Sequence, residues 1–414
     1  MHSSAYRHRV ERLRQSEICV YYFGGYHPVN ESFIRSPPPG VRIKTNVKLQ
    51  AFDDFGKPKE FTRSWRRRKE LGKIIVDTLG IPRMMPIVGR FDLIHTNSAI
   101  IPLSTTPWIG NLENPSAFFG FNEKWLGNPR MKRRLATHLL SKRCRSIHPY
   151  SNTSRDYLFR SLDDWEEELK IKTRVIYPAI DDYLIEECSK RATTKPRDDT
   201  VRFLFVGDHF FDKGGREILR AFQHVRDDTK TELTLVTSAP QHHLNEFAEY
   251  RRILNREKGV KFYETGIRRS ALLELYGQAD VFLFPSYMDQ VPFVILEAMA
   301  AKLPIIGSNC YAIPEMVLDG ENGFIVESPW TAFPADGLRT EKHLEEYMKA
   351  VVEPSNFDSV VEELIDKMSV LCTNERLRQR FGQKSLELVK DGKFSVATRN
   401  RQLAESYRTA VAKT

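Results

Sequence analysis

What this chain lacks narrows its chemistry first. No stretch approaches the roughly 20 consecutive apolar residues that a membrane-crossing helix needs. The segment with His2, Arg7, His8, Arg9, Glu11, Arg12 and Arg14 has no apolar core of the kind a secretory leader carries, so cytoplasmic residence is expected, with peripheral contact at the inner membrane surface left open. Cysteine is scarce. Cys19, Cys144, Cys188, Cys310 and Cys372 are odd in number, far apart, and without the paired spacings of zinc or redox sites, and they read as buried thiols. No Asp-x-Asp pair occurs, so the ligands of a metal-bridged diphosphate site are missing, and neither a metal nor a cofactor is expected. Neither a Gly-x-Gly-x-x-Gly fingerprint nor a Walker loop is complete, which argues against a dehydrogenase or an ATPase.

What is present suits a soluble α/β protein. At 414 residues the chain exceeds one ordinary core, and two domains of about 100–200 residues are the simplest reading. A hydrophobic share of 41% against 28% charged residues allows cores to be buried and the surface covered. The formal charge of +9 is uneven: Arg63, Arg66, Arg67, Arg68, Lys69 and Lys73 form one basic cluster, and Arg130, Lys132, Arg133, Arg134, Lys142, Arg143 and Arg145 form another. Such patches suit phosphates, anionic headgroups or nucleic acid, but most are solvated helix faces, and no nucleic-acid recognition motif accompanies these.

The run Ile18–Phe23 is β-branched and aromatic and stops at Gly24-Gly25, the reading of a buried strand feeding a tight loop. Runs at Phe91–His95, Pro107–Ile109, Arg145–His148 and Val175–Tyr177 alternate with helical stretches at Ser64–Leu79 and Pro129–Ser141, which predicts a parallel, doubly wound sheet. The polar stretch Glu186–Thr200 reads as a linker. Alternation then restarts at Phe203–Val206 and continues through Leu233–Val236, Lys261–Tyr263, Val281–Phe284, Pro304–Ile306 and Gly323–Val326. Pro329–Phe357 reads as an insertion or lid, and Ser395–Ala412 as a terminal helix beginning at a serine cap.

Two segments carry chemistry. A strand ending at Gly207, followed by Lys213-Gly214-Gly215 at a helix start, places backbone N–H groups, a positive helix end and an ammonium together, the parts of a phosphate cradle; the plainer reading is a strand-loop-helix whose glycines only serve the turn. In Pro285-Ser286-Tyr287-Met288-Asp289-Gln290-Val291-Pro292-Phe293-Val294-Ile295-Leu296-Glu297, one acid sits in a loop after a strand and a second in the first turns of the next helix. A carboxylate can take two hydrogen bonds from a vicinal diol.

These motifs, with Pro304–Val326 and Val175–Asp181, resemble the retaining glycosyltransferases of family 4. The resemblance implies the GT-B fold: two facing Rossmann-like domains with the donor in the cleft between them. It implies residues 1–185 as the acceptor-side domain, 186–200 as the linker, 201–393 as the nucleotide-sugar domain, and 394–414 as a helix crossing back. It further implies a hexose-type donor linked to a nucleoside diphosphate, and an acceptor of saccharide, lipid-linked or small-molecule type. Asp289 would meet the transferred sugar, Glu297 the ribose hydroxyls, and the N–H groups of Phe293 and Val294 the diphosphate. Lys213 would neutralise that diphosphate, Gly207 and Gly214 would belong to the donor site beside it, and the Gly24-Gly25 loop would face it.

Departures from the family pattern open other readings. Asp208 stands where an arginine contact is usual, Asp289 is one methylene shorter than the usual Glu, and Pro292 removes one N–H donor. His209, Arg216 or a basic residue from elsewhere could supply the missing positive charge. Asn111 falls at or near a position where many members carry a catalytic histidine, and it cannot exchange protons near neutral pH; His95 is another candidate there. A catalytically impaired binding protein, or a nucleotide-sugar epimerase or hydrolase, are the alternatives.

Overall fold

In the computed structural model, residues 17–24, 28–46, 78–97, 99–192, 198–239, 243–334 and 339–412 are described. Gly25 and the Arg63–Lys73 cluster lie outside them, as does most of the helix expected over Ser64–Leu79. The described residues form two compact units, one running to Ala179 and taking in Val396–Ala412, the other spanning Ile180–Ser395.

The N-terminal unit is built on a five-stranded parallel sheet of order β2-β1-β4-β6-β7, with β1 at Ile18–Phe23, β2 at Val41–Thr45, β4 at Leu93–Thr96, β6 at Trp108–Leu112 and β7 at Cys144–Pro149. A parallel ribbon, β3 (Met84–Pro86) with β5 (Ile101–Leu103), stands beside it. Every residue of β4 and β6 is buried, as expected where helices cover both faces of a parallel sheet. The terminal helix Val396–Ala412 belongs to this unit because Leu403, Tyr407, Ala410 and Val411 pack with Val20, Tyr22, Leu93 and Ile109. Val175–Tyr177, expected as a strand, instead runs beside β7 without joining the sheet, with the Ile176 amide donating to the Pro149 carbonyl at 3.0 Å.

The C-terminal unit is a six-stranded parallel sheet of order β10-β9-β8-β11-β12-β13. Its strands are β8 (Val201–Gly207), β9 (Thr231–Thr237), β10 (Val260–Glu264), β11 (Val281–Phe284), β12 (Ile305–Ser308) and β13 (Gly323–Val326). In chain order this is 3-2-1-4-5-6, so the direction of winding reverses between β8 and β11. Much of the stretch expected as a linker, 186–200, is helix: Asp182–Ala192 continues through residue 192 and buries Ile185 and Cys188. Its polar composition misled because two apolar residues three apart suffice to hold a short helix against Arg269–Gln278. The division of the chain accordingly falls at Ala179/Ile180.

Candidate functional site

The loop after β8 is shaped by its glycines and aromatics. Phe210 and Phe211 turn inward, and the amides of Gly214 and Gly215 donate to the carbonyls of Phe211 and Phe210 at 3.1 and 2.8 Å. Gly214 has φ +75°, and a Cβ there would lie 2.7 Å from the Pro285 carbonyl oxygen, so only glycine lets this loop press on the one after β11. The helix Gly215–Asp228 starts immediately afterwards.

That contact brings Lys213 to Asp289. The ammonium lies 2.6 Å from Asp289 Oδ2 and also donates to the Met288 carbonyl, while the Gln290 amide donates to Asp289 Oδ1 at 2.9 Å. Both side chains retain some exposure, 16% and 21%. The pair stands at the carboxyl ends of β8 and β11, where the winding reverses and where ligands of doubly wound sheets bind.

Glu297 keeps different company. It lies in the helix Phe293–Ala300, which begins after Pro292 without a side-chain cap, and it is buried. Arg269 Nη1 approaches its Oε1 at 2.7 Å, and the Tyr276 hydroxyl donates to its Oε2 at 3.1 Å. Both carboxylate oxygens are therefore engaged by groups that sequence reading did not single out. Burial, with the Glu297 charge beside it, pushes the Tyr276 phenol well above its ordinary range, so it remains a donor.

Asp212 is a second residue that motif reading passed over. It is buried, accepts from the Tyr347 hydroxyl at 2.9 Å, and lies 3.5 Å from His209 Nδ1. Burial alone would raise its carboxyl, but hydrogen bonds from His209 and Tyr347, with the His209 and Lys213 charges, hold it below the usual range. Tyr347 comes from the helix Glu341–Ala350 in the stretch read as a lid, and the Ala332 amide of the same stretch donates to the Tyr287 carbonyl at 2.8 Å. The stretch buttresses the site instead of standing free of it.

The compensation expected of Arg216 is not there. Arg216 is 1% exposed, paired at 2.6 Å with buried Glu217, and donates to the Val352 carbonyl at 3.1 Å, so its guanidinium is buried beneath the loop. Asp208 accepts from the Ser238 hydroxyl at 3.0 Å.

In the N-terminal unit, Gly24 exchanges hydrogen bonds with the Asn46 side chain, at 3.2 and 3.0 Å, and a Cβ on it would lie 2.9 Å from Asn30 Nδ2. Asn111, placed among the catalytic residues by analogy, makes one hydrogen bond at each amide atom: its Oδ1 meets His95 Nε2 at 2.8 Å and its Nδ2 donates to the Tyr150 hydroxyl at 3.0 Å. It is a link in a buried chain, Tyr150 to Asn97 to Asn30, that also receives Tyr22. Because Asn111 Oδ1 only accepts, His95 carries its proton on Nε2 and accepts the Tyr407 hydroxyl on Nδ1 at 2.6 Å.

Burial pushes the His95 imidazole down to about 4, with Asn111 opposing and the Arg399 charge adding to the depression. Burial, with the His95 and Arg174 charges, likewise holds His148 well below its ordinary range. Below pH about 6.5 only the unfolded chain takes up these protons, so stability falls as pH drops from there toward about 4. At pH 5 the loss from His95 alone is about 2 kcal/mol. A melting temperature clearly lower at pH 5 than at pH 7 is expected; one that does not move contradicts the buried neutral pair.

A family model described as Glycosyl transferases group 1 matches residues 200–340. An uncharacterized glycosyltransferase of Methanocaldococcus jannaschii is 25% identical over 229 residues, 52% of this chain and 54% of that protein. Glycogen synthase of Mycobacterium tuberculosis is 29% identical over 134 residues, 32% of this chain and 31% of that one. The chain thus spans about half the length, or less, of these curated relatives. The crystal structure of Anabaena HepE in complex with UDP and glucose shares the fold at a TM-score of 0.60 and 15% identity, over 94% of this chain and 98% of HepE. The fold is GT-B, and residues 200–340 are similar to the group 1 glycosyl transferases.

Proposed function

We propose that the chain is a retaining glycosyltransferase that moves a hexose-type sugar from a nucleotide diphosphate sugar to an acceptor hydroxyl. The observation that carries this reading is the meeting of Lys213 and Asp289 where the winding of the C-terminal sheet reverses. A ligand there would find an ammonium, a carboxylate and the positive end of the helix Phe293–Ala300. In this reading Lys213, seated on the Gly207–Gly214 turn, and the N–H groups of Phe293 and Val294 stabilise the leaving diphosphate. Asp289 accepts from a hydroxyl of the transferred sugar, and Glu297, oriented by Arg269 and Tyr276, takes the ribose diol. Asn111, held by His95 and Tyr150, keeps one further acceptor site and one further N–H with which to hold a hydroxyl near the reacting centre. Departure of the diphosphate and attack on the same face of the sugar need charge stabilisation and positioning more than proton transfer. The UDP and glucose bound to HepE, which shares the fold, support the choice of donor class.

Thermal-shift screening against UDP, GDP and ADP and their hexose conjugates tests the reading. A ligand held at 100 times its Kd stabilises the native state by about 2.7 kcal/mol, and the melting point of the C-terminal unit rises accordingly. Release of the nucleoside diphosphate only when an acceptor is added completes the case. Consumption of the donor alone indicates a hydrolase or epimerase. Binding without turnover across acceptor panels gives the second reading, a binding protein, favoured by Asp208 at the position of an expected arginine. No shift with any of the nucleotides ends the donor-site assignment.

A further inference from the structure

The amino ends of β4, β6 and β7 in the N-terminal unit, with the carboxyl ends of β3 and β5 beside them, carry a surface that the sugar chemistry does not use. Val88 precedes β4 and is 93% exposed, Leu103 closes β5 and is 51% exposed, and Ile171, beyond the helix Glu166–Lys170, is 85% exposed. Single exposed apolar residues are ordinary. These three are tied into one continuous edge. The Ile87 amide, next to Val88, donates to the Leu103 carbonyl; Arg143 Nη1 donates to the Ser104 carbonyl at 3.2 Å; and Lys172, next to Ile171, donates to the carbonyls of Ser141 and Cys144 at 2.7 and 2.9 Å.

Cations surround this edge. Lys142 and Arg143 are exposed just before β7, and Arg90 is exposed just before β4. The helix Pro129–Leu140 ends at Ser141, beside them, and presents Arg130, Arg133 and Arg134 to solvent; the stretch 129–145 contains no acid. Among the described residues none of these six cations is in an ion pair. Lys132, on the same helix, does face Asp163 at 3.4 Å. Of the acids nearby, Asp92 accepts from the Cys19 amide at 2.8 Å and Glu166 and Glu167 pair with Lys170, while Asp164 and Glu168 are exposed near Ile171.

We infer that this edge, Val88, Leu103 and Ile171 together with Arg90, Lys142, Arg143 and the exposed arginines of the Pro129–Leu140 helix, seats the N-terminal unit on an anionic lipid surface. The charge selects the occupant. A second copy of a chain of net charge +9 would bring like charges together, whereas an anionic bilayer attracts each cation and accepts three shallow apolar side chains at the headgroup boundary. The surface lies at the opposite end of its sheet from the carboxyl ends of the strands, so lipid could be held without blocking ligand access there.

Flotation of the full chain with vesicles of phosphatidylcholine containing about 30% phosphatidylglycerol, against pure phosphatidylcholine, reads the binding. Binding to the anionic vesicles alone is expected. The combined variant Arg133→Glu, Arg134→Glu and Lys142→Glu should lower the partition by more than tenfold, each cation being worth about fivefold. Val88→Ser, Leu103→Ser and Ile171→Ser together should lower it with the melting temperature unchanged, whereas Lys349→Glu, in the other unit, should leave it as it was. If the triple charge variant does not melt cooperatively, Arg133→Gln and Lys142→Gln singly carry the same comparison. Equal binding to both vesicle types, binding that survives charge reversal, or a chain that instead self-associates or binds RNA through these residues overturns the proposal.

Discussion

Alanine at Lys213 is expected to cut donor turnover at least tenfold, and as much as about 150-fold, because a charge-assisted hydrogen bond is worth about 1.5–3 kcal/mol. The loss falls on whatever the ammonium does for the diphosphate. The fold should scarcely notice, since the pair with Asp289 is partly open to water and exposed ion pairs contribute little to stability. An Asp289→Asn chain separates the two roles: it keeps the ammonium but weakens the acceptor for a sugar hydroxyl, so it should bind nucleoside diphosphate normally and turn over poorly. The measurement is kcat/KM for donor beside a thermal-shift titration with the diphosphate. Near-normal turnover in Lys213→Ala, with the chain folded, would remove the ammonium from the reaction and with it the main support for the assigned site.

Glutamine or alanine at Glu217 should be the most destabilising single change among the polar residues of the C-terminal unit. Arg216 and Glu217 are 1% and 0% exposed and meet at 2.6 Å, with the guanidinium also facing the rings of Phe211 and Phe357. Burial raises the Glu217 carboxyl against the pull of Arg216, a sign that desolvation and attraction nearly balance. Removing one partner strands the other charge in an apolar interior, at a cost of about 3–5 kcal/mol. For a unit of this size that is a fall of roughly 6–20 °C in melting temperature. The double replacement Arg216→Met with Glu217→Leu should recover most of it, because the desolvation cost then disappears with the pair. Single and double variants that melt together would show that the pair is not isolated from solvent in the working protein. Arg216 was also the plausible substitute for the missing arginine at position 208, and its inward turn means that any such contact must come from another residue.

How much was legible differs from residue to residue. β11 was readable as Val281–Phe284 because a strand covered on both faces is a continuous apolar run, and Lys213-Gly214-Gly215 was readable because strand end, tight turn and helix start fall within a few residues. Asp182–Ala192 was not readable as a helix, since only Ile185 and Cys188 are buried in it and the helices it packs on, Arg269–Gln278 and Phe293–Ala300, come well beyond any local window. Asn111 was placed correctly on a strand, but its hydrogen bonds to His95 and Tyr150, 16 and 39 positions away, were not readable from its neighbours in sequence.

By itself the sequence determined that this is a parallel α/β chain of two units and that Lys213 and Asp289 sit in loops at strand ends, because apolar periodicity and turn chemistry are local. Tertiary structure alone decided that these two, 76 positions apart, touch; that Arg269 and Tyr276 close on Glu297; that Tyr347 reaches Asp212 across 135 positions; and that Tyr407 reaches His95 across 312. The reason is physical. A buried polar atom must find a partner wherever packing brings one, and packing is a property of the whole chain that no window of residues contains.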